Sequence, residues 1–227
     1  MILAYHRINP WYKNDALTVN PDNFERHLKY LISKNFQPVS FNGLREKNKR
    51  KFMITFDDGF ADNLWFAYEI LKKFNLKPLI FLVVDYVGSD KIFLRYKDKE
   101  KDRFLNWEEV KWMGENGVEF GSHTLTHPHL TEISEKKAKE EIVISKKKIE
   151  DKIGMEVKFF CYPYGEFDEK IIEIVKKAGY KAAFVTPKKR KKIKNSIYTL
   201  KRIGIYGHNS FLIFKFKIWK EYLIGKF

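Results

Sequence analysis

Two carboxylates and three imidazoles stand out among the residues of this chain that could do chemistry. Asp57 and Asp58 are adjacent in Thr55-Phe-Asp-Asp-Gly59, directly after the apolar run Phe52–Ile54. Like charges repel, so such a pair at a strand end is unusual unless a site uses it. In an extended segment neighbouring side chains point opposite ways, so one carboxylate could bind a metal while the other faced a substrate. Gly59 lets the chain turn sharply there. His123, His127 and His129 fall within seven residues of a chain that has six histidines. Their four-residue spacing would put the His123 and His127 rings on one face of a helical turn, a metal-ligand spacing. One aspartate and two imidazoles make a three-donor site with positions open for water and substrate, as a catalytic zinc ion requires. A third segment, Phe160-Cys-Tyr-Pro-Tyr-Gly165, is stiffened by Pro163 and Gly165. Its backbone N–H groups could face a developing oxyanion.

All three segments follow runs that read as strands. Such runs are Ile2–Tyr5, Phe52–Phe56, Leu79–Val84, Val118–Gly121, Val157–Tyr162 and Ala182–Thr186, with a seventh at Ile197–Ile205. They are short, mostly apolar and bounded by Gly, Pro or polar clusters, which suits a parallel sheet covered on both faces. Helical patterns separate them at Pro21–Ser33, Ala61–Phe74, Asn106–Asn116, Ser134–Ile153 and Glu166–Ala178. Asn20 is a good N-cap before Pro21, and Gly154 a good stop after Ile153. Strand–helix alternation argues an α/β fold, a barrel or an open sheet, with the chemistry on loops after the C-terminal strand ends.

Length and composition set the frame. The 227 residues, 44% apolar and 16% aromatic, favour one packed domain over disorder. The single cysteine, Cys161, cannot close an intrachain disulfide. The opening apolar run ends at Tyr5, too short for a signal-peptide core, and no later run is long enough to span a bilayer. A cytoplasmic or membrane-peripheral protein is expected. The formal charge is +15, and residues 188–227 hold 12 Lys or Arg against one acid, Glu221. A basic aromatic segment of this kind suits an anionic membrane or glycan surface; nucleic acid is disfavoured because the nearby aromatics read as strand and core. The plainer expectation for Phe211–Phe227 is a final helix with its aromatics buried.

The chain resembles the polysaccharide deacetylases of the NodB homology type from Tyr5 to about Ile205. Asp57-Asp58 matches the first motif of that family, His123 and His127 the second, and Pro163-Tyr164-Gly165 the third. The resemblance implies a distorted (β/α) barrel of about seven strands; by its length the chain reads as a single domain over 1–227 with a basic aromatic C-terminal segment 188–227. The resemblance also implies one divalent metal ion, usually Zn2+, on Asp58, His123 and His127, with Asp57 as general base. The Tyr164 backbone would stabilise the oxyanion, and the substrate would be a carbohydrate carrying N-acetyl groups. Tyr5-His6-Arg7 resembles the start of relatives that act on poly-N-acetylglucosamine and similar cell-surface glycans. Two departures stand out. Cys161 occupies the place where many relatives carry an Arg that orients the catalytic Asp, and Arg202 is the candidate substitute because a guanidinium can grip a carboxylate bidentately. Ile205-Tyr-Gly-His208 is a loose match to the late motif that supplies the general acid, which leaves His6 and His208 both open. Within the class, an O-acetyl esterase or a sugar deformylase would use the same metal site. A silent glycan-binding module should have lost part of the site, whereas both aspartates and both histidines are present.

Overall fold

β-Branched and aromatic runs form the strands, and the charged periodic stretches between them form the helices, as burial on two faces against burial on one stripe requires. The structure is a computed structural model that describes residues 1–44, 50–93, 101–187 and 196–224. The chain opens with β1 (Ile2–Tyr5), a short pair β2 (Arg7–Ile8) and β3 (Thr18–Val19), and α1 (Pro21–Ser33). Then come β4 (Gln37–Pro38), α2 (Phe41–Leu44), β5 (Lys51–Phe56) and a π-helical stretch Asn63–Tyr68 that runs on into α3 (Glu69–Lys73). β6 (Leu79–Leu82), α4 (Trp107–Glu115), β7 (Glu119–Ser122), α5 (Glu135–Ile153), β8 (Phe159–Cys161) and α6 (Glu169–Lys177) follow. The last elements are β9 (Ala182–Val185), β10 (Leu200–Lys201), β11 (Ile203–Gly204) and α7 (Phe211–Ile224). Each of the seven expected strand runs contains a strand, but Ile197–Ile205 carries two, broken at Arg202.

These elements group into two compact units. The first comprises Met1–Phe56, Asp62–Pro78 and Ile203–Phe227. In it β1 is fully buried and lies parallel to β5 and β11, with Leu3 opposite both Ile54 and Ile203. α1 starts where Asn20 Oδ1 accepts the Asp22 N–H, and it buries Phe24, Leu28 and Leu31. α7 buries Phe214 and Ile218, so the plainer expectation for this segment holds for one face of it. A buried polar network follows β1: Arg7 Nε donates to Asp62 Oδ2 at 2.8 Å and Asn9 Nδ2 to the same oxygen at 2.7 Å.

The second unit comprises Asp57–Ala61 and Leu79–Arg202. Its strands run parallel in the order β6, β7, β8, β9, β10. Gly121 sits in β7 because there is no room for more: a Cβ there would lie 2.6 Å from the Phe81 ring and 2.8 Å from the Phe159 carbonyl oxygen. α5 is capped by Ser134, whose side chain accepts the Lys137 N–H, and stopped by Gly154 at φ 69°. Its stripe Ala138, Ile142, Ile149, Ile153 is buried. Among the described residues no helix is long and apolar enough to cross a membrane. The basic run Lys188–Lys194 lies outside the described residues.

Candidate active site

The three sequence motifs lie on loops that leave β5, β7 and β8 at their C-terminal ends, and their functional atoms converge within the second unit. The way the first motif separates its carboxylates corrects the extended-strand expectation. β5 ends at Phe56, and the chain then turns through the left-handed region, with Asp58 at φ 74° and Gly59 at φ 84°. The turn, not the strand pleat, sends the two side chains to different partners. A left-handed aspartate is a strained choice tolerated where a site needs it. Gly59 is required twice over, since a Cβ would also meet Leu82 Cδ2 at 2.6 Å.

The histidine spacing is likewise not helical. After β7 the loop passes through left-handed Thr124 (φ 71°) and His127 (φ 63°). Thr124 Oγ1 accepts the His127 N–H at 3.0 Å and closes the turn. Glu141, buried at 1% exposure on α5, pins the same loop. Its carboxylate accepts the N–H groups of Leu125 and Thr126, each at 2.9 Å, and the Thr126 hydroxyl at 2.8 Å. Sequence reading missed Glu141. The available signal was an acid standing within the apolar stripe of α5.

Together these loops bring Asp58, His123 and His127 to one point. Asp58 Oδ1 lies 3.7 Å from the Nε2 atom of each histidine, and the two Nε2 atoms are 3.2 Å apart. Donors about 2.0–2.2 Å from a shared tetrahedral ion would stand roughly 3.3–3.6 Å from each other, within about 0.1 Å of these spacings, so the set fits a divalent ion. Hydrogen bonding supports the fit. His123 Nδ1 donates to the Cys161 carbonyl at 2.8 Å, which turns its Nε2 lone pair to the cluster. Burial lowers the His123 pKa, against the pull of Asp57 and of the Cys161 carbonyl, and holds the ring neutral as a metal ligand must be. Asp57, His123 and Cys161 also lie close enough to share an ion. That set fits less well, because both Asp57 oxygens already accept from a guanidinium.

The guanidinium is that of Arg202, 145 residues along the chain. Its Nη1 donates to Asp57 Oδ1 at 2.7 Å and its Nη2 to Oδ2 at 2.6 Å. The same Nη2 reaches Cys161 Sγ at 2.9 Å. Arg202 is 4% exposed and sits between β10, which pairs with β9, and β11, which pairs with β1. Burial pushes the Cys161 thiol well up, Arg202 opposing, so the thiol stays protonated.

Tyr164 turns left-handed at φ 58° between Pro163 and Gly165, and its ring lies 4.6 Å from that of His127. His129 stacks on Tyr164 at 3.8 Å and donates to Glu166 at 2.7 Å. On the other side an aromatic cluster of Phe60, Tyr86, Phe93 and Phe104 walls the site, with Phe93 edge-on to His127 at 5.5 Å. Burial and the charge of Asp58 raise the Tyr86 pKa, which keeps that hydroxyl protonated. The sequence reading did not single out these aromatics; Tyr86 ends a short 3-10 turn, Val84–Tyr86, that follows β6. The remaining two expected residues lie in the first unit. His6 is half-buried, with its carbonyl accepting from Asn63 Nδ2 at 2.9 Å, and His208 is exposed and stacked on Tyr206.

Comparison with known proteins points to one family. Residues 44–183 match the family model described as polysaccharide deacetylase. The poly-beta-1,6-N-acetyl-D-glucosamine N-deacetylase of Staphylococcus aureus is 28% identical over 206 residues, covering 83% of this chain and 68% of the relative. The crystal structure of a polysaccharide deacetylase from Bacillus cereus superposes with a TM-score of 0.79 at 27% identity, over 96% of this chain and 68% of that one. The Streptococcus pyogenes deacetylase PplD, solved in complex with acetate, has a TM-score of 0.80 over 95% of this chain and 96% of its own; at 24% identity this likeness carries the α/β fold alone.

Proposed function

The chain belongs to the polysaccharide deacetylase family, and we propose that it hydrolyses N-acetyl groups from an amino-sugar glycan or glycolipid using one divalent ion, zinc by the chemistry of its donors. The observation that carries the reading is the three-donor cluster of Asp58, His123 and His127 beside an aspartate forked by an arginine.

Asp58, His123 and His127 would hold the ion, two imidazoles and one carboxylate being a donor set zinc favours. When bound, it would supply Lewis acidity, lowering the pKa of a water from about 16 to near 7 and polarising the acetyl carbonyl. Asp57 accepts the proton of the attacking water. Arg202 fixes the plane of that carboxylate, so the base does not have to be ordered at the moment of reaction. The Tyr164 N–H, presented by its left-handed turn, is the donor assigned to the tetrahedral oxyanion, where one such contact is worth about 3–4 kcal/mol. The amine leaves only if protonated, so the reading requires a general acid, for which His6 and His208 are the candidates the sequence offers. Glu141 acts through the backbone of the histidine loop as a positioning residue.

Metal analysis combined with acetate release from a panel of N-acetylglucosamine polymers, O-acetylated glycans and lipid-linked N-acetyl sugars tests the reading. One bound divalent ion and acetate from the N-acetyl substrates are expected. A fully metallated protein that releases acetate only from O-acetyl esters overturns the N-deacetylase assignment. His6→Asn and His208→Asn, assayed separately, distinguish the two candidate acids.

A further inference from the structure

α7 buries one face and, among the described residues, leaves the opposite face apolar and exposed. Leu212, Phe216 and Leu223 are 73%, 67% and 76% exposed. At about 100° per residue these three fall within roughly 40° of one another, while the buried Phe214 and Ile218 point away from them. Ile213, 43% exposed, borders the stripe. Three large side chains this exposed on one helix face need a partner, because isolated exposed apolar residues are ordinary but an aligned row is not.

The charges around the stripe say which partner. On the same helical geometry Lys215 and Lys220 flank it at roughly 60–80° to either side, and Glu221, the single acid of α7, lies opposite. The Lys215 ammonium lies over the Phe211 ring at 4.8 Å and the Tyr30 ring at 5.5 Å, and the Lys220 ammonium over Phe216 at 5.8 Å, so both charges sit at the edge of the apolar surface beside the stripe. Arg26 covers Phe211 at 3.9 Å, Lys34 covers Tyr30 at 6.0 Å and Arg50 covers Tyr222 at 5.6 Å, extending the basic rim around the helix. Trp219, on the stripe side, donates Nε1–H to Tyr30 Oη at 2.7 Å, which locks α7 to α1. An apolar row framed by cations is the pattern of a helix lying in the plane of a lipid interface. A polyanionic glycan can stack a sugar face on Phe216 but leaves Leu212 and Leu223 in water, whereas a lipid boundary covers all three.

We propose that the outer face of α7 docks on an anionic lipid bilayer, with Leu212, Phe216 and Leu223 entering the boundary between headgroups and acyl chains while Lys215 and Lys220 meet the headgroups. This goes beyond the deacetylase reading and is independent of it.

Co-sedimentation of the full chain with vesicles tests the proposal, using phosphatidylcholine alone against phosphatidylcholine with about 30% phosphatidylserine. The chain is expected to bind the anionic vesicles about tenfold or more tightly than the neutral ones, with salt weakening the difference. The triple variant Leu212→Ser, Phe216→Ser, Leu223→Ser should lose about tenfold or more of that binding. The pair Lys215→Gln, Lys220→Gln should lose a similar amount on anionic vesicles only. Leu212, Phe216, Lys220 and Leu223 are exposed and Lys215 is half-buried, so the circular dichroism of both variants and their acetate release from a soluble N-acetylglucosamine oligomer should match the parent. Vesicle binding by the serine variant equal to that of the parent overturns the proposal. So does sedimentation equilibrium showing a dimer that the serine variant loses, which would assign the face to a second copy of the chain.

Discussion

Asp57 and Asp62 stand five residues apart, each is buried, and each pairs with a buried arginine, yet the two pairs are built for different ends. Asp62 is surrounded by donors from its own neighbourhood in the fold. Arg7 Nε and Asn9 Nδ2 share Oδ2, while Oδ1 accepts from the Ile8 N–H at 3.3 Å and from Asn63 at 3.2 Å. Burial still pushes the Asp62 carboxyl up, against Arg7, Asn9 and Ile8. Such a carboxylate fastens the segment after β1 to the segment after the Asp-Asp-Gly turn. Asp57 is instead gripped by the planar fork of one arginine from far along the chain, with a thiol and a neutral imidazole as neighbours. The lesson is that donor number and source separate a structural aspartate from a reactive one when residue type and burial do not.

The sharpest way to break this comparison is at Asp57 itself. Asp57→Asn should keep the metal and the fold while kcat falls on the order of 10²–10⁴-fold. Loss of the metal along with activity, read by metal analysis, would move Asp57 into the ligand set.

The arginines should respond in opposite currencies. Arg7→Met leaves Asp62 buried without its cation and should cost about 3–5 kcal/mol in urea unfolding. Arg202→Lys keeps a charge but loses the fork, so kcat should fall about 10–100-fold with a shifted pH–rate profile and a far smaller change in stability. Equal stability losses in the two variants would erase the distinction.

His27 sharpens the contrast from another side, as a buried group that stays uncharged. It stacks on Phe214 at 3.9 Å and meets the Tyr5 hydroxyl at 3.3 Å. Burial, with Arg26 adding to it, lowers its pKa from 6.5 to about 4. The unfolded chain therefore binds this proton first as pH falls. Its contribution to stability is complete above about pH 6.5 and is lost progressively down to about pH 4, roughly 2–3 kcal/mol by pH 4.5. His27→Gln should flatten that part of the curve of urea midpoint against pH; an unchanged slope would show that His27 is not its source.

The smallest effect is expected at Glu141, which acts on the histidines only through their loop. Glu141→Gln should weaken metal affinity about 10–100-fold, as measured by competition with a chelator, with the catalytic groups themselves unaltered.

Much of this molecule was legible in the residues. Strand runs, helix stripes and caps such as Asn20 and Ser134 are local signals, and the seven expected strand runs and five helices carry those elements. The placement of Asp57, Asp58, His123 and His127 near strand ends follows from the same reading. The deviations come where the backbone leaves regular geometry. Asp58, Thr124 and His127 adopt left-handed φ, which a minority of non-glycine residues do and which periodicity does not announce.

The sequence by itself determined which residue types were present and their order at the strand ends, and its family resemblance singled out Arg202 as the substitute for an arginine at Cys161. Only tertiary structure decided that Arg202 forks Asp57 across 145 residues, that Glu141 from α5 pins the histidine loop, and that Tyr86 and Phe93 wall the site. The division has a physical cause. Caps and periodic stripes are set by neighbours within one or two turns of the chain, whereas a metal site needs donors about 3–4 Å apart from separate strands, and that convergence is set by how the strands pair and by what the surrounding core leaves room for.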